Sequence, residues 1–411
     1  MHSKIRISLA AATTSLALLS AVGAAWADSA PAAPAKPPIP SLADTLAAWG
    51  LTETGYVDAT FGYSHIDESL PAGVPTDYNS FALNQAGLTV AMQPSTGFGG
   101  LVNVVEGSSP YAAIGDGLLN GKTNTLFQSS PQLYLMQAFA QYLTGPWTVE
   151  AGKFATLAGA EVFAPNGNTN VTRSILFNFE PVTHTGVRAT YAVNGMLNLI
   201  FGVNNGWTLS QDISDGSDKT FEAGLAFTPN KVVSWTLQGY YGRDNLNWSP
   251  TGGTTKGNLL LLDTVVTWTA TSALTVIGTV DYGNVGNTST AGAGVTATSP
   301  SASWWGAAGY LNYAINPEWR VSLRGEYFDD TDGYETGLWS TNVNVDGDTS
   351  VLTMDEKLAE ATLTFGYDPI KNFEARIEGR YDFPSPSYST TETANYQVKA
   401  FQGWLEALYH F

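Results

Sequence analysis

The sequence predicts an all-β protein, a transmembrane antiparallel β-barrel of about 16 strands with short turns at one end and long loops at the other. Three observations lead there: a membrane-like composition without a spanning helix, a period-2 alternation of apolar and polar residues, and connections that alternate in length. Of the 411 residues only 13% are charged, while 12% are aromatic and 42 are glycine. A soluble domain carries about 25% charge. No stretch beyond the N-terminus holds eighteen consecutive apolar residues, so helices do not take this chain through a bilayer. Strands must then do so, and because lipid offers no partner for an open edge, the sheet must close.

The N-terminus reads as an export signal over residues 1–27. Lys4 and Arg6 form a positive start, Ile7 to Gly23 an apolar stretch, and Ala25-Trp26-Ala27 a cleavage triplet before Asp28. Thr13, Thr14, Ser15 and Ser20 interrupt the apolar stretch and argue against a retained anchor. Residues 28–49 form a Pro/Ala-rich periplasmic linker with a short helical segment at its end, and residues 50–411 form the barrel. Cysteine is absent, which excludes disulfides and thiolate metal sites. With Lys4 and Arg6 removed, 16 basic groups face 36 acidic ones, a net charge of −20 that excludes nucleic acid as a natural partner.

Alternation places strands at 51–63, 81–92, 97–107, 133–143, 147–155, 183–193, 196–205, 219–228, 232–242, 258–269, 273–284, 303–315, 319–329, 357–367, 373–383 and 397–411. In 373–383, Phe373, Ala375, Ile377, Gly379, Tyr381 and Phe383 share one face and Glu374, Arg376, Glu378, Arg380 and Asp382 the other. A soluble sandwich could show the same pattern. The connections separate the two cases: turns of two to five residues alternate with long Gly/Ser/Thr/Asp-rich loops at 64–80, 108–132, 156–182, 206–218, 243–257, 285–302, 330–356 and 384–396. Outer-membrane barrels have this asymmetry, with the short turns and both termini periplasmic. Aromatics bunch at the turn ends of the strands, at Tyr142, Trp147, Phe227, Trp268, Tyr313, Trp319, Tyr367, Phe373 and Tyr409, as a girdle at a lipid boundary should. The last strand alternates apolar residues and stops at Phe411, resembling the terminal strand by which barrel-assembly machinery recognises its clients.

Residues 152–191, GKFATLAGAEVFAPNGNTNVTRSILFNFEPVTHTGVRATY, resemble a stretch of the OmpL-like β-barrel porin family. The likeness rests on Gly152-Lys153-Phe154, Glu161, the Asn-rich tract, Arg173-Ser174, Pro181 and His184-Thr185-Gly186-Val187 before Tyr191. It implies a pore in the outer membrane of a Gram-negative bacterium, with no catalytic residues to carry over. A homotrimer enters by analogy with porins of this size.

A pore acts through its lining, so the candidate residues are inward polar side chains and whatever loop narrows the lumen. The 156–182 loop is the constriction candidate. It carries Glu161, Arg173 and Glu180, together with Phe163, Ile175, Leu176, Phe177 and Phe179, which need a surface to pack on. A loop lying over the rim or at a subunit interface is the competing reading. Parity puts Arg320, Arg324, Glu326, Glu360, Glu374, Arg376, Glu378, Arg380, Asp382 and Glu406 on the lumenal wall, joined by Arg188 and Asp263. Arg320, Arg324, Arg376 and Arg380 are expected to form a basic ladder facing acidic loop groups; cross-strand ion pairs that stiffen the wall are the alternative. Lys153 falls on the lipid side by strict alternation, so a bulge or an early strand end near Gly152 is expected in place of a buried ammonium.

The acidic excess lies largely in loops, at Asp67, Glu68, Asp212, Asp215, Asp218, Asp329, Asp330, Asp332, Glu335, Asp346 and Asp348. A negative mouth concentrates cations over about 8 Å at physiological salt, so weak cation selectivity is expected. Asp330-Thr331-Asp332-Gly333 and Asn344-Val345-Asp346-Gly347-Asp348 contain pieces of calcium loops without the full spacing and read as solvated turns. No cofactor or metal is called for. G-x-S-x-G, H-E-x-x-H and the phosphate-binding G-x-x-x-x-G-K-[ST] are missing, and His184 is the one credible general base, so an enzyme is not expected. The expected function is passive diffusion of small hydrophilic solutes or ions through a chain embedded in outer-membrane lipid. The alternative is a plugged structural or adhesive barrel that binds a partner through its loops.

Overall fold

The computed structural model describes residues 46–66, 79–108, 116–117, 133–207, 219–246, 254–292, 295–299, 301–330, 342–345, 348–351, 356–383 and 400–411. The export signal, most of the linker, and Asp67, Glu68, Asp212, Asp215, Asp218, Asp332, Glu335 and Asp346 lie outside the described residues.

The strands are β1 (Thr52–Ile66), β2 (Ser80–Met92), β3 (Gly97–Glu106), β4 (Asp116–Gly117), β5 (Leu133–Thr144), β6 (Trp147–Ala155), β7 (Thr183–Ala192), β8 (Leu197–Asn204), β9 (Thr220–Phe227), β10 (Val233–Leu246), β11 (Thr254–Thr269), β12 (Leu274–Gly292), β13 (Val295–Ser299), β14 (Ala302–Ala314), β15 (Trp319–Asp330), β16 (Asn342–Val345), β17 (Asp348–Val351), β18 (Glu356–Ile370), β19 (Phe373–Phe383) and β20 (Ala400–His410). Leaving aside the short β4, β13, β16 and β17, sixteen strands pair antiparallel in chain order. β20 returns to pair with β1 from Tyr56↔His410 to Ile66↔Ala400, so the sheet closes into a barrel. At the seam the Phe411 N–H donates to the Gly55 carbonyl at 2.9 Å, and the reverse bond is equally long.

Four of the short turns share one chemistry. Asn194 accepts from the N–H groups of Met196 and Leu197, Asn230 from Val232 and Val233, Thr271 from Ala273 and Leu274, and Asn316 from Glu318 and Trp319. A short polar side chain that reaches its own backbone two and three residues on mimics a turn and ends one strand where the next begins.

The faces follow parity. On β19 Glu374, Arg376, Glu378, Arg380 and Asp382 are buried, while Ile377 and Phe383 are 55% and 47% exposed on the lipid side. Ring pairs bind the girdle across strands: Trp319 stacks on Tyr367 at 4.3 Å and Trp147 meets Tyr191 at 4.7 Å.

Several segments depart from the sequence expectations. β10, β11 and β12 continue well into the stretches 243–257 and 285–302 that read as loop, because Thr, Asn and Gly do not stop a ladder whose partner also continues. β13 folds back on β12, and the 342–351 segment, read as part of a loop, makes its own hairpin with Val345 opposite Asp348. Asp329 and Asp330, read as loop acids, end β15 and are buried. Near Gly152 the strand does not end early: β6 runs to Ala155, Gly152 takes φ 132°, and both Lys153 and Phe154 are buried. The register runs unbroken through Gly152 and Phe154 keeps the inward parity of Glu150, so neither the expected bulge nor an early strand end is present, and Lys153 is a buried ammonium.

Candidate functional site

Residues 156–182 connect β6 to β7 and lie against the inward face of the barrel. A segment without a ladder carries N–H and C=O groups that burial forbids leaving bare. Part of the need is met within the loop. Asn168 accepts from Val162 N–H at 2.9 Å and donates to the carbonyls of Val162 and Ala164 at 2.7 and 2.8 Å. Arg173 donates to the carbonyls of Val162, Val171 and Phe163 at 2.9, 3.1 and 3.1 Å. Ser174 caps the single helical turn Ile175–Asn178, its Oγ accepting from Phe177 N–H.

The wall supplies the rest, with both signs of charge. Glu378 accepts from the N–H groups of Val171 and Thr172 at 2.6 and 2.9 Å, and Glu326 from those of Ile175 and Leu176 at 2.6 and 3.1 Å. All four arginines of the expected basic ladder donate to loop carbonyls: Arg320 to Thr169, Arg324 to Thr172, Arg376 to Pro165 and Arg380 to Arg173, at 2.7, 2.7, 3.3 and 2.8 Å. Acidic loop groups play a smaller part than expected: within the 156–182 loop it is Glu161 that meets the ladder, through Arg324 at 2.9 Å. The arginines are balanced mainly by wall carboxylates, Arg324 by Glu360, Arg376 by Glu374 and Glu406, and Arg380 by Asp382. Arg320 also pairs with Glu374.

Apolar loop residues fill pockets of the same wall. Phe163 and Phe177 pack with Val105, Tyr134 and Met136. Ile175 and Leu176 pack with Leu259, Val285, Trp304 and Phe328, and Val171 meets Trp404. Inward aromatics such as Trp304 and Trp404 have no counterpart in a wholly polar lining; they mark where the loop seats.

Arg188 lies outside the ladder. It pairs with Glu222 at 3.0 Å, stands 4.2 Å over the Phe154 ring and donates to the Ala155 carbonyl where the loop departs. His184 is buried, stacked on Tyr240 at 4.6 Å with its Nε2 3.3 Å from Thr156 Oγ1, a packing role at the root of the loop. Glu180, at the other root, faces Asp263 and Asp281. Burial, then the negative charge of Asp263, pushes its carboxyl well above the usual carboxylate range. Glu378 was legible as a wall residue by parity, but nothing local marked it as the group that accepts from the loop backbone.

A closed sixteen-stranded antiparallel barrel, apolar outside and charged within, with a loop held across its interior, is an outer-membrane porin. The chain belongs to the family described as "Putative beta-barrel porin-2, OmpL-like", which matches residues 50–411. This places it in the outer membrane of a Gram-negative bacterium as a channel. Among solved structures it is similar to the outer membrane channel DcaP of Acinetobacter baumannii, with a TM-score of 0.56, 14% identity, and coverage of 88% of this chain and 97% of that one. It is also similar to OmpT of Vibrio cholerae in a trimer form (TM-score 0.53, 11% identity, 88% and 100% covered). A third is an anion-selective porin from Comamonas acidovorans (0.53, 9%, 88% and 99%). At these identities the likeness is one of fold. No curated protein sequence matches.

Proposed function

We propose that the channel passes small hydrophilic solutes by passive diffusion, that the 156–182 loop is its constriction, and that it is weakly cation-selective. The observation that carries this reading is the fixing of the loop at Glu326, Glu378 and the four arginines, which gives the interior one defined shape. The sign of selectivity is supported by charge. Among the described buried residues carboxylates outnumber cationic groups, and nearly every arginine already faces a carboxylate. The anion-selective neighbour has the same fold, so selectivity must come from the lining. Residues 1–27 act as the export signal, residues 28–49 as the linker, the terminal strand as the mark read by barrel-assembly machinery, and the folded chain assembles as a trimer in lipid.

The test is conductance of the purified chain in planar bilayers under a potassium chloride gradient. The expected result is ion flow with a reversal potential favouring potassium; one favouring chloride refutes the selectivity. A second reading, a plugged barrel that binds partners through its loops, draws on the depth at which Ile175, Leu176 and Phe177 are buried. Absence of conductance would favour it, and shortening the loop without altering conductance would remove the loop as constriction.

A further inference from the structure

Most carboxylates of the interior have a counter-charge or donors. Glu161 and Glu360 meet Arg324, Glu222 meets Arg188, Glu374 and Glu406 meet Arg376, Asp382 meets Arg380, and Glu326 and Glu378 hold backbone N–H groups. Glu180, Asp263 and Asp281 have no cationic partner among the described residues. One ligand oxygen from each lies within 4.8 Å of the others, and the three residues are 6%, 1% and 2% exposed. The charges that act most strongly on Glu180 are themselves negative, Asp263 first and then Glu161 and Glu326. Thr279, at 3.3 Å, and the Gly159 backbone reach Asp263, and the three carboxyls lie within hydrogen-bond reach of one another, but among the described residues no donor meets Asp263 Oδ1 or Asp281 Oδ1. Two buried carboxylate oxygens without donors, inside a cluster of acidic groups, are costly unless a proton or a cation is shared between them.

The cluster also sits at a structural junction. Asp263 on β11 and Asp281 on β12 are direct cross-strand partners. Glu180 comes from the return end of the loop, three residues before β7 begins. Gly159, near the outgoing end, has φ 83°, and a Cβ there would fall 1.8 Å from a Glu180 oxygen. Both roots of the loop therefore converge on one pair of wall strands.

We propose that Glu180, Asp263 and Asp281 form a calcium site that clamps the two roots of the lumenal loop to β11 and β12. The donors are all carboxylate oxygens, which suit a hard divalent cation. Calcium takes oxygen ligands in a flexible geometry, whereas magnesium demands a near-ideal octahedron. Two strands and a loop deliver these oxygens, an irregular all-oxygen set that calcium tolerates and an octahedral magnesium does not. The site is separate from the question of conduction and stands or falls independently of the channel reading.

The experiment is calcium titration by calorimetry on the full chain, folded in detergent micelles and stripped with EDTA, comparing wild type with Asp281→Asn. Wild type is expected to take up one calcium ion that the variant binds at least about tenfold more weakly, and calcium is expected to raise the melting temperature of wild type alone. Weak binding by external acidic loops appears equally in both and cancels. If Asp281→Asn fails to show the heat-dependent gel migration of a folded barrel, Glu180→Gln carries the same comparison, since it leaves the wall strands intact. Equal calcium uptake in wild type and variant overturns the site and leaves the three carboxyls sharing protons. Displacement of calcium by an equal concentration of magnesium overturns the assignment of the ion.

Discussion

Glu378→Gln isolates the contribution of wall charge to holding the loop. In the native side chain Oε1 accepts from Thr172 N–H and Thr172 Oγ1 at 2.9 and 2.6 Å, and Oε2 from Val171 N–H and Thr364 Oγ1, both at 2.6 Å. An amide keeps one acceptor and turns the other into a donor. Whichever way it is placed, one loop N–H loses its acceptor and faces another N–H. The two hydroxyls can rotate to accept, so the loss concentrates on that backbone amide. A hydrogen bond to a charged group contributes about 1.5–3 kcal/mol and a stranded buried donor costs about 1–3 kcal/mol, which together suggest about 3 kcal/mol against docking. At about 1.4 kcal/mol per decade this is roughly a hundredfold change in the docked-to-undocked ratio. The ladder of β19 is untouched, so the barrel should still fold. Amide hydrogen exchange in micelles reads the effect directly. Protection at Val171 and Thr172 should fall by about that factor while strand amides of β18 and β19 keep theirs. The amides of Ile175 and Leu176, held by Glu326, report whether the loop releases as one unit. Unchanged protection at Val171 and Thr172 would refute the reasoning, because it would mean that apolar packing alone seats the loop.

Arg324, fully buried between Glu161 and Glu360, should be less tolerant still: Arg324→Met strands two carboxylates and is expected to cost about 3–5 kcal/mol, seen as a lowered unfolding midpoint in micelles. Arg324→Lys should recover part of this, since a single ammonium cannot serve Glu161, Glu360 and the Thr172 carbonyl together. On the opposite face Leu363 lies mid-strand towards lipid, so Leu363→Arg should cost about 2–4 kcal/mol in reversible folding into vesicles. An unperturbed midpoint there would mean that this stretch is covered by protein.

Sequence carried the wall further than its contents. β6 and β19 have the bounds that alternation assigned, because strand parity is a local signal read over a few residues. The same parity put Arg320, Arg324, Arg376 and Arg380 on the inner face. Their partners were not legible. The bond from Val171 to Glu378 spans 207 positions and that from Ile175 to Glu326 spans 151, and no periodicity links such pairs. A ladder of arginines suggested acidic partners, whereas most of the loop groups the arginines hold are backbone carbonyls, which every residue has and no sequence advertises. Lys153 shows the limit of parity itself: it is buried although alternation assigns it to lipid. β11 and β12 show another limit, since polar Thr/Asn/Gly stretches look like loops until their pairing partner is known.

Holding a loop with charge ties its position to the electrostatics of the lumen. Water could satisfy the same backbone groups, but water would not choose one path for the loop; a fixed array of carboxylates and guanidiniums does. The guanidiniums that take part are neutralised where they stand, Arg324 by Glu360 and Glu161 and Arg380 by Asp382, so they add little net field for a passing ion. Carboxylates engaged by backbone N–H groups, such as Glu378, contribute a larger share. Replacing Arg376 would therefore do two things at once, freeing the Pro165 carbonyl and unmasking Glu374 and Glu406. A change in reversal potential after such a substitution cannot be assigned to charge until loop docking has been measured in the same variant. On the reading proposed above, a substitution in the acidic loops would alter ion capture without that ambiguity, and comparing the two classes of variant separates loop docking from charge.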